Sequence, residues 1–202
     1  MHPFIVVTGN NGVGKSSIVQ SLRERFGAAT FHYPDAFRRF RVDAALDVAV
    51  PPRPRLLYYL AATLELSELV SRELSQRPVI CDRYVESPLS LLEAESALST
   101  EELDAMAAPY LGMLRVPDRY LVLTASHDVA AERIRRRTGE GATTRVQGKS
   151  VDSPEFYAKR ADLLWRWAER TGPAERVDTT DQPLDAVLHD AWKRTVSAFE
   201  DT

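Results

Sequence analysis

Residues 9–16 read Gly-Asn-Asn-Gly-Val-Gly-Lys-Ser and meet every fixed position of the pattern G-x-x-x-x-G-K-[ST]. The chemistry of that spacing is phosphate binding. Gly9, Gly12 and Gly14 let the backbone curl, so that N–H groups across Asn10, Asn11 and Val13 can point toward one anion. A helix beginning after the loop adds its positive N-terminal end. Lys15 can reach the β- and γ-phosphates of a nucleotide, and the Ser16 hydroxyl can ligate Mg²⁺, with Ser17 closing the loop.

Other residues suited to phosphoryl chemistry fall at telling places. Asp82 and Arg83 follow the apolar run 79–81. In proteins with this loop, an acid at the end of a neighbouring strand holds Mg²⁺ or its water, and a basic residue beside it can meet a second phosphate. A structural Asp–Arg pair is the plain alternative. Asp35 ends a second apolar stretch on the same sheet edge and could accept a proton from an acceptor hydroxyl or orient substrate. A turn-forming Pro-Asp is its competing reading. Arg133, Arg135, Arg136 and Arg137 lead into residues 138–153, which carry three glycines and no clear periodicity. That segment, with Arg145 and Lys149, reads as a lid delivering cations to a transferring phosphoryl group, or else as a solvated basic face. Tyr58 and Tyr59 sit on a helix flanking the acceptor side, where a ring could stack on substrate or simply pack.

The elements that must position these residues alternate along the chain. Residues 4–8 are apolar and rich in β-branched side chains, and read as a buried strand. Ile18, Val19, Leu22 and Phe26 recur at helical spacing, and Gly27 stands where a helix stops. Further strands are expected over 28–33, 79–82, 120–124 and 176–178. Helices are expected over 56–74, 87–98, 100–111, 130–137, 155–170 and 184–199. Such alternation predicts an α/β fold: one three-layer domain over residues 1–202, a five-stranded parallel sheet with helices on both faces, and a lid at about 135–153.

Composition narrows the partners. The chain has 202 residues, 44% hydrophobic and 27% charged, which suits a globular domain. A formal net charge of −3 argues against nucleic acid as the main partner. No apolar run nears the ~18 residues of a membrane span. The lone Cys81 excludes an internal disulfide and reads as core. With no apolar signal core at the start, the expected location is the cytoplasm. His2, His32, His127 and His189 lack ligand spacing, and Trp165, Trp167 and Trp192 read as packing residues.

Taken together, the chain resembles the thymidylate kinase family of P-loop nucleotide and nucleoside kinases. The resemblance rests on the loop at 9–17, on Tyr33-Pro34-Asp35 and on Leu56-Leu57-Tyr58-Tyr59-Leu60-Ala61-Ala62. It rests above all on Asp82-Arg83-Tyr84 followed by Ser87, and extends through Glu132-Arg133-Ile134-Arg135-Arg136-Arg137 to Val177-Asp178-Thr179-Thr180. It implies ATP as phosphoryl donor and Mg²⁺ bridging its phosphates, with Ser16 and Asp82 as metal-side residues. It implies acceptor contacts from Tyr33, Tyr58, Tyr59, Arg83 and Ser87, charge stabilisation by Arg133 and Arg137, and a homodimer.

The departures cluster on the acceptor side. Asn11 stands where the family often has an acid reaching the acceptor sugar. Ala62 or Thr63 stands where it has a base-reading arginine, and Ser87-Pro88-Leu89-Ser90-Leu91-Leu92 replaces a more polar run. Losing groups that hydrogen-bond a base edge relaxes or redirects acceptor choice. The expected function is therefore an ATP-dependent kinase of a nucleoside monophosphate or nucleoside-like molecule. A kinase of another small metabolite and a nucleotide-dependent regulatory protein are the competing readings.

Overall fold

In a computed structural model, described over residues 2–32, 50–138 and 145–200, the first apolar run is strand β1 (Phe4–Gly9), buried along its whole length. Burial on both faces explains why the run shows no polar alternation. β1 is the middle strand of a parallel five-stranded sheet. The order is β2 (Ala29–Phe31), β3 (Val79–Asp82), β1, β4 (Arg119–Thr124) and β5 (Ala174–Asp178). The helices are α1 (Lys15–Phe26), α2 (Pro52–Glu73), α3 (Glu86–Ala94) and α4 (Thr100–Leu111). They continue as α5 (His127–Thr138), α6 (Arg145–Asp152), α7 (Pro154–Thr171) and α8 (Leu184–Glu200).

The period-2 alternation of β1 divides the core into two layers. Phe4 and Val6 pack with Leu60 and Val70 of α2, Leu89 and Leu92 of α3, and Trp167 of α7. Ile5 and Val7 pack on the other face with Ile18 and Leu22 of α1 and with Val187 and Ala191 of α8. Each such side chain contributes about 1.5–3 kcal/mol of transfer free energy when fully buried. Cys81 lies in the first layer with none of its surface exposed, so the lone thiol is a packing residue, and burial pushes its pKa well up.

Several elements differ from their sequence reading for local reasons. α3 ends at Ala94 rather than near 98. Ser96 adopts φ 53, the Ser96 N–H donates to Glu93 O at 3.0 Å, and the Ala97 N–H donates to Leu92 O at 3.0 Å. That paired closure terminates a helix regardless of the leucine that follows. The segment read as aperiodic carries α6, and β2 spans three residues rather than six. α2 starts at Pro52, whose ring pre-sets the first helical turn. Tyr33 and Asp35 lie outside the described residues.

Register brings the chemistry to one edge. Val7 pairs with Asp82 and Gly9 with Leu123, so the carboxyl ends of β1, β3 and β4 open side by side. β1 feeds the phosphate loop there, between neighbours drawn from later in the chain, which is where parallel α/β sheets bind ligands.

Candidate active site

The loop after β1 is held by close approach and by long-range bonds. A side chain at Gly12 would place its Cβ 2.3 Å from the Ala130 carbonyl oxygen, so α5 packs directly on the loop backbone. Gly14 has φ 90, with nothing among the described residues within 4 Å of its missing Cβ. The Asn10 side-chain amide donates to Tyr157 O at 2.8 Å, and the Thr179 hydroxyl reaches Val13 O at 3.1 Å. The loop is therefore braced by α7 and by the turn after β5.

Lys15 is buried and donates from Nζ to the Asn10 carbonyl at 2.7 Å. Burial holds its pKa well below the ordinary lysine range. Arg83 adds to this, Asp82 opposes it, and Arg160 and Arg137 contribute further lowering. Among the described residues, the charges that bear on Lys15 are thus three arginines and one carboxylate. An excess of positive charge in a desolvated cleft favours a polyanion.

Asp82 ends β3, and its Oδ1 is buried with no hydrogen-bond partner among the described residues. A bare buried carboxylate oxygen beside a phosphate loop suits a hard cation. His32 donates from Nδ1 to the Asp82 carbonyl at 2.6 Å, with the same nitrogen 3.9 Å from Oδ2. A histidine without ligand spacing carries no signal of this role. Parallel pairing of Phe31 with Cys81 sets it there.

Arg83 also has positive φ, at 74. Its Nη1 donates to the Ser87 hydroxyl at 3.0 Å and its Nη2 to Asn11 Oδ1 at 3.1 Å. Asn11 of the loop is thus joined in one chain of hydrogen bonds to Arg83 and Ser87, the two residues expected to contact the acceptor. Tyr58 and Tyr59 form an edge-on pair with ring centroids 5.5 Å apart, Tyr59 buried and Tyr58 half-buried.

The two arginines expected to act from the lid separate. Arg133 donates from Nη1 to Thr179 Oγ at 3.0 Å and from Nη2 to Thr179 O at 2.7 Å, clamping the turn after β5. Arg137 is exposed yet close enough to depress Lys15. Sequence reading also missed Arg160, a buried residue of α7 whose charge bears on Lys15, and Glu86, a fully buried acid four residues after Asp82. The only signal for Glu86 was an acid opening an otherwise apolar helix.

Residues 7–161 match the family model described as Thymidylate kinase. The chain belongs to the thymidylate kinase family. It is 32% identical to the thymidylate kinase of Cereibacter sphaeroides (strain ATCC 17029 / ATH 2.4.9) over 196 residues, 89% of this chain and 88% of the relative. With the thymidylate kinase of Bradyrhizobium diazoefficiens it shares 23% identity over 200 residues, 93% and 81% of the two chains. Among solved structures, a thymidylate kinase from Candida albicans superposes with a TM-score of 0.75 at 19% identity, covering 98% of this chain and 93% of that one. A deoxyadenosine kinase from M. mycoides gives 0.67 at 17%, covering 96% and 99%. Both share the fold. As a family member this chain is a nucleotide kinase, a phosphotransferase, and Lys15, Asp82, Arg83, Arg133 and Arg137 lie inside the matched span. No helix among the described residues is long and apolar enough to cross a membrane.

Proposed function

We propose that the chain transfers the γ-phosphoryl group of ATP to a nucleoside monophosphate. The observation that carries this reading is the Asn11–Arg83–Ser87 hydrogen-bond chain, which holds the Arg83 guanidinium beside the glycine loop. The loop N–H groups and Lys15 would hold the donor phosphates. Arg83 would hold the acceptor phosphate in line with the γ-phosphorus, and Arg137 would add charge stabilisation as the group moves. Arg133, through Thr179, would fix the turn that borders the loop.

Ser16 and Asp82 would hold Mg²⁺, which when bound neutralises charge on the phosphates. Because a monophosphate acceptor presents an ionised oxygen, no general base is required. Asp35 would then orient the acceptor, with Tyr33, Tyr58 and Tyr59 as further acceptor-side residues. The same reading carries a cytoplasmic location and a homodimer, the latter testable by light scattering.

The test is ATP-dependent ADP release, measured by coupled assay, across the common ribo- and deoxynucleoside monophosphates and the free nucleosides. At least one monophosphate should stimulate release well above the rate with ATP alone. If no acceptor stimulates release, the reading fails. Stimulation by a nucleoside alone would move the acceptor from phosphate to free hydroxyl.

A further inference from the structure

Arg83 holds a backbone conformation that its side chain disfavours, and something must keep it there. Residues with a Cβ persist at φ 74 only where the surroundings over-determine them. The Arg83 N–H donates to Val7 O at 3.0 Å, which fixes the residue's entry from β3. Its exit is fixed by a side chain. The Tyr84 N–H lies 3.2 Å from Glu86 Oε1 and 3.1 Å from Oε2, a forked donation into one carboxylate. Glu86 Oε1 also accepts from the Thr8 hydroxyl at 2.5 Å. Thr8 immediately precedes the phosphate loop. One buried carboxylate therefore ties the strand entering the loop to the turn carrying Arg83.

Glu86 itself has no exposed surface, so it is out of reach of any ligand. Its neighbours are Tyr84, whose ring stands edge-on to Phe4 with centroids 5.3 Å apart, and Cys81 and Tyr120 in the same layer. Burying an acid here is costly unless it is well bonded, and leucine or valine would fill an apolar layer more cheaply. We infer that Glu86 is a positioning residue for phosphoryl transfer, clamping Tyr84 N–H and Thr8 so that Arg83 presents its guanidinium to the acceptor across Asn11 and Ser87. This inference rests on the kinase reading above, because it assigns Arg83 to the acceptor.

A purely structural Glu86 and a positioning one differ in what depends on Arg83. The test is a double-mutant cycle of Glu86→Ala and Arg83→Ala, read as kcat/KM with ATP and the nucleoside monophosphate that wild type turns over fastest. Glu86→Ala should lower kcat/KM by about 30- to 100-fold with KM for ATP changed little, because misplacement of the acceptor-side group falls on the chemical step. In the Arg83→Ala background the same change should cost no more than about threefold, since the group it positions is gone. An equal loss in both backgrounds, or near wild-type turnover in Glu86→Ala, overturns the assignment. Should the alanine variant fail to fold, Glu86→Gln, which keeps one acceptor oxygen, and Thr8→Val run through the same cycle, with smaller losses that again vanish without Arg83.

If wild type turns over no acceptor, the kinase reading falls by itself. The clamp is then decided by hydrogen exchange of the Tyr84 amide in the intact chain. Exchange should be slow in wild type and at least about tenfold faster in Glu86→Gln, since a local bond has been weakened. Unchanged exchange overturns the clamp.

Discussion

Lys15, Glu86 and Glu93 are buried or partly buried charges, and each is governed by a different balance. Glu86 is pushed above the ordinary glutamate range by burial, with donors from Thr8 and the Tyr84 N–H pulling back. At Glu93 burial opposes ionisation, but bonds from Thr100, Arg166 and Trp167 outweigh it, and its pKa is lowered. The signs are therefore opposite. A raised folded pKa confers stability that is full below the unfolded value of about 4.3 and is lost as pH climbs through the folded value. A lowered one confers stability that is present above about 4.3 and is lost as pH falls through the folded value. Melting temperatures of wild type, Glu86→Gln and Glu93→Gln across pH should show wild type losing ground to Glu86→Gln as pH rises. Wild type should lose ground to Glu93→Gln as pH falls below the carboxylate range. Parallel curves would contradict both assignments. Arg133 and Arg137 of α5 make a second contrast. Arg133→Ala breaks two bonds to Thr179 and should cost about 1–2 kcal/mol in chemical denaturation along with weaker ATP binding. Arg137→Ala, at an exposed position, should leave stability unchanged and lower kcat. Reversed effects would exchange their roles.

Among the elements, the ones set by local chemistry were legible and the ones set by neighbours were not. β1 and α1 were readable because an apolar β-branched run, a glycine loop and a helical period lie in one stretch. α4 was readable from its ends: the Ser99 hydroxyl accepts from the Glu102 N–H at 3.2 Å while Glu102 accepts from the Ser99 N–H at 3.0 Å. The end of α3 was not, because Leu98 continues the helical pattern while the backbone turns at Ser96. That turn carries a stability prediction. Ser96→Gly relieves a left-handed conformation and should stabilise the chain by up to about 1 kcal/mol in urea denaturation, less whatever the exposed bond from Lys159 contributes. Destabilisation would mean that the Lys159 contact outweighs the backbone. α6 was hidden for a related reason: Gly148 and the polar residues around it mask a helical period that packing against α5 and α7 supports.

At the scale of the whole molecule, the glycine loop and the strand-end motif were legible and their bracing was not. The loop, Asp82 and Arg83 occupy two short contiguous motifs. The groups that hold them act across the fold: Thr8 meets Glu86 across 78 positions, Asn10 meets Tyr157 across 147, and Val13 meets Thr179 across 166. Such pairs leave no spacing to read, and only the sheet order joins them. Trp167 shows the same limit, since its indole N–H donates to Glu93 Oε2 at 2.8 Å to bind α7 to α3. On the proposed function, Lys15 and the loop deliver a phosphoryl group to an acceptor held by Arg83. Transfer from γ-labelled ATP under single-turnover conditions, with wild type and Lys15→Ala side by side, tests it most directly. Wild type should place the label on a nucleoside monophosphate. Lys15→Ala should slow transfer by at least about 100-fold, with melting temperature largely preserved because Nζ bonds the loop's own Asn10 carbonyl and takes no part in the apolar core. Label released only as inorganic phosphate, or acceptor labelled equally fast by Lys15→Ala, would overturn the assignment of transfer to this loop.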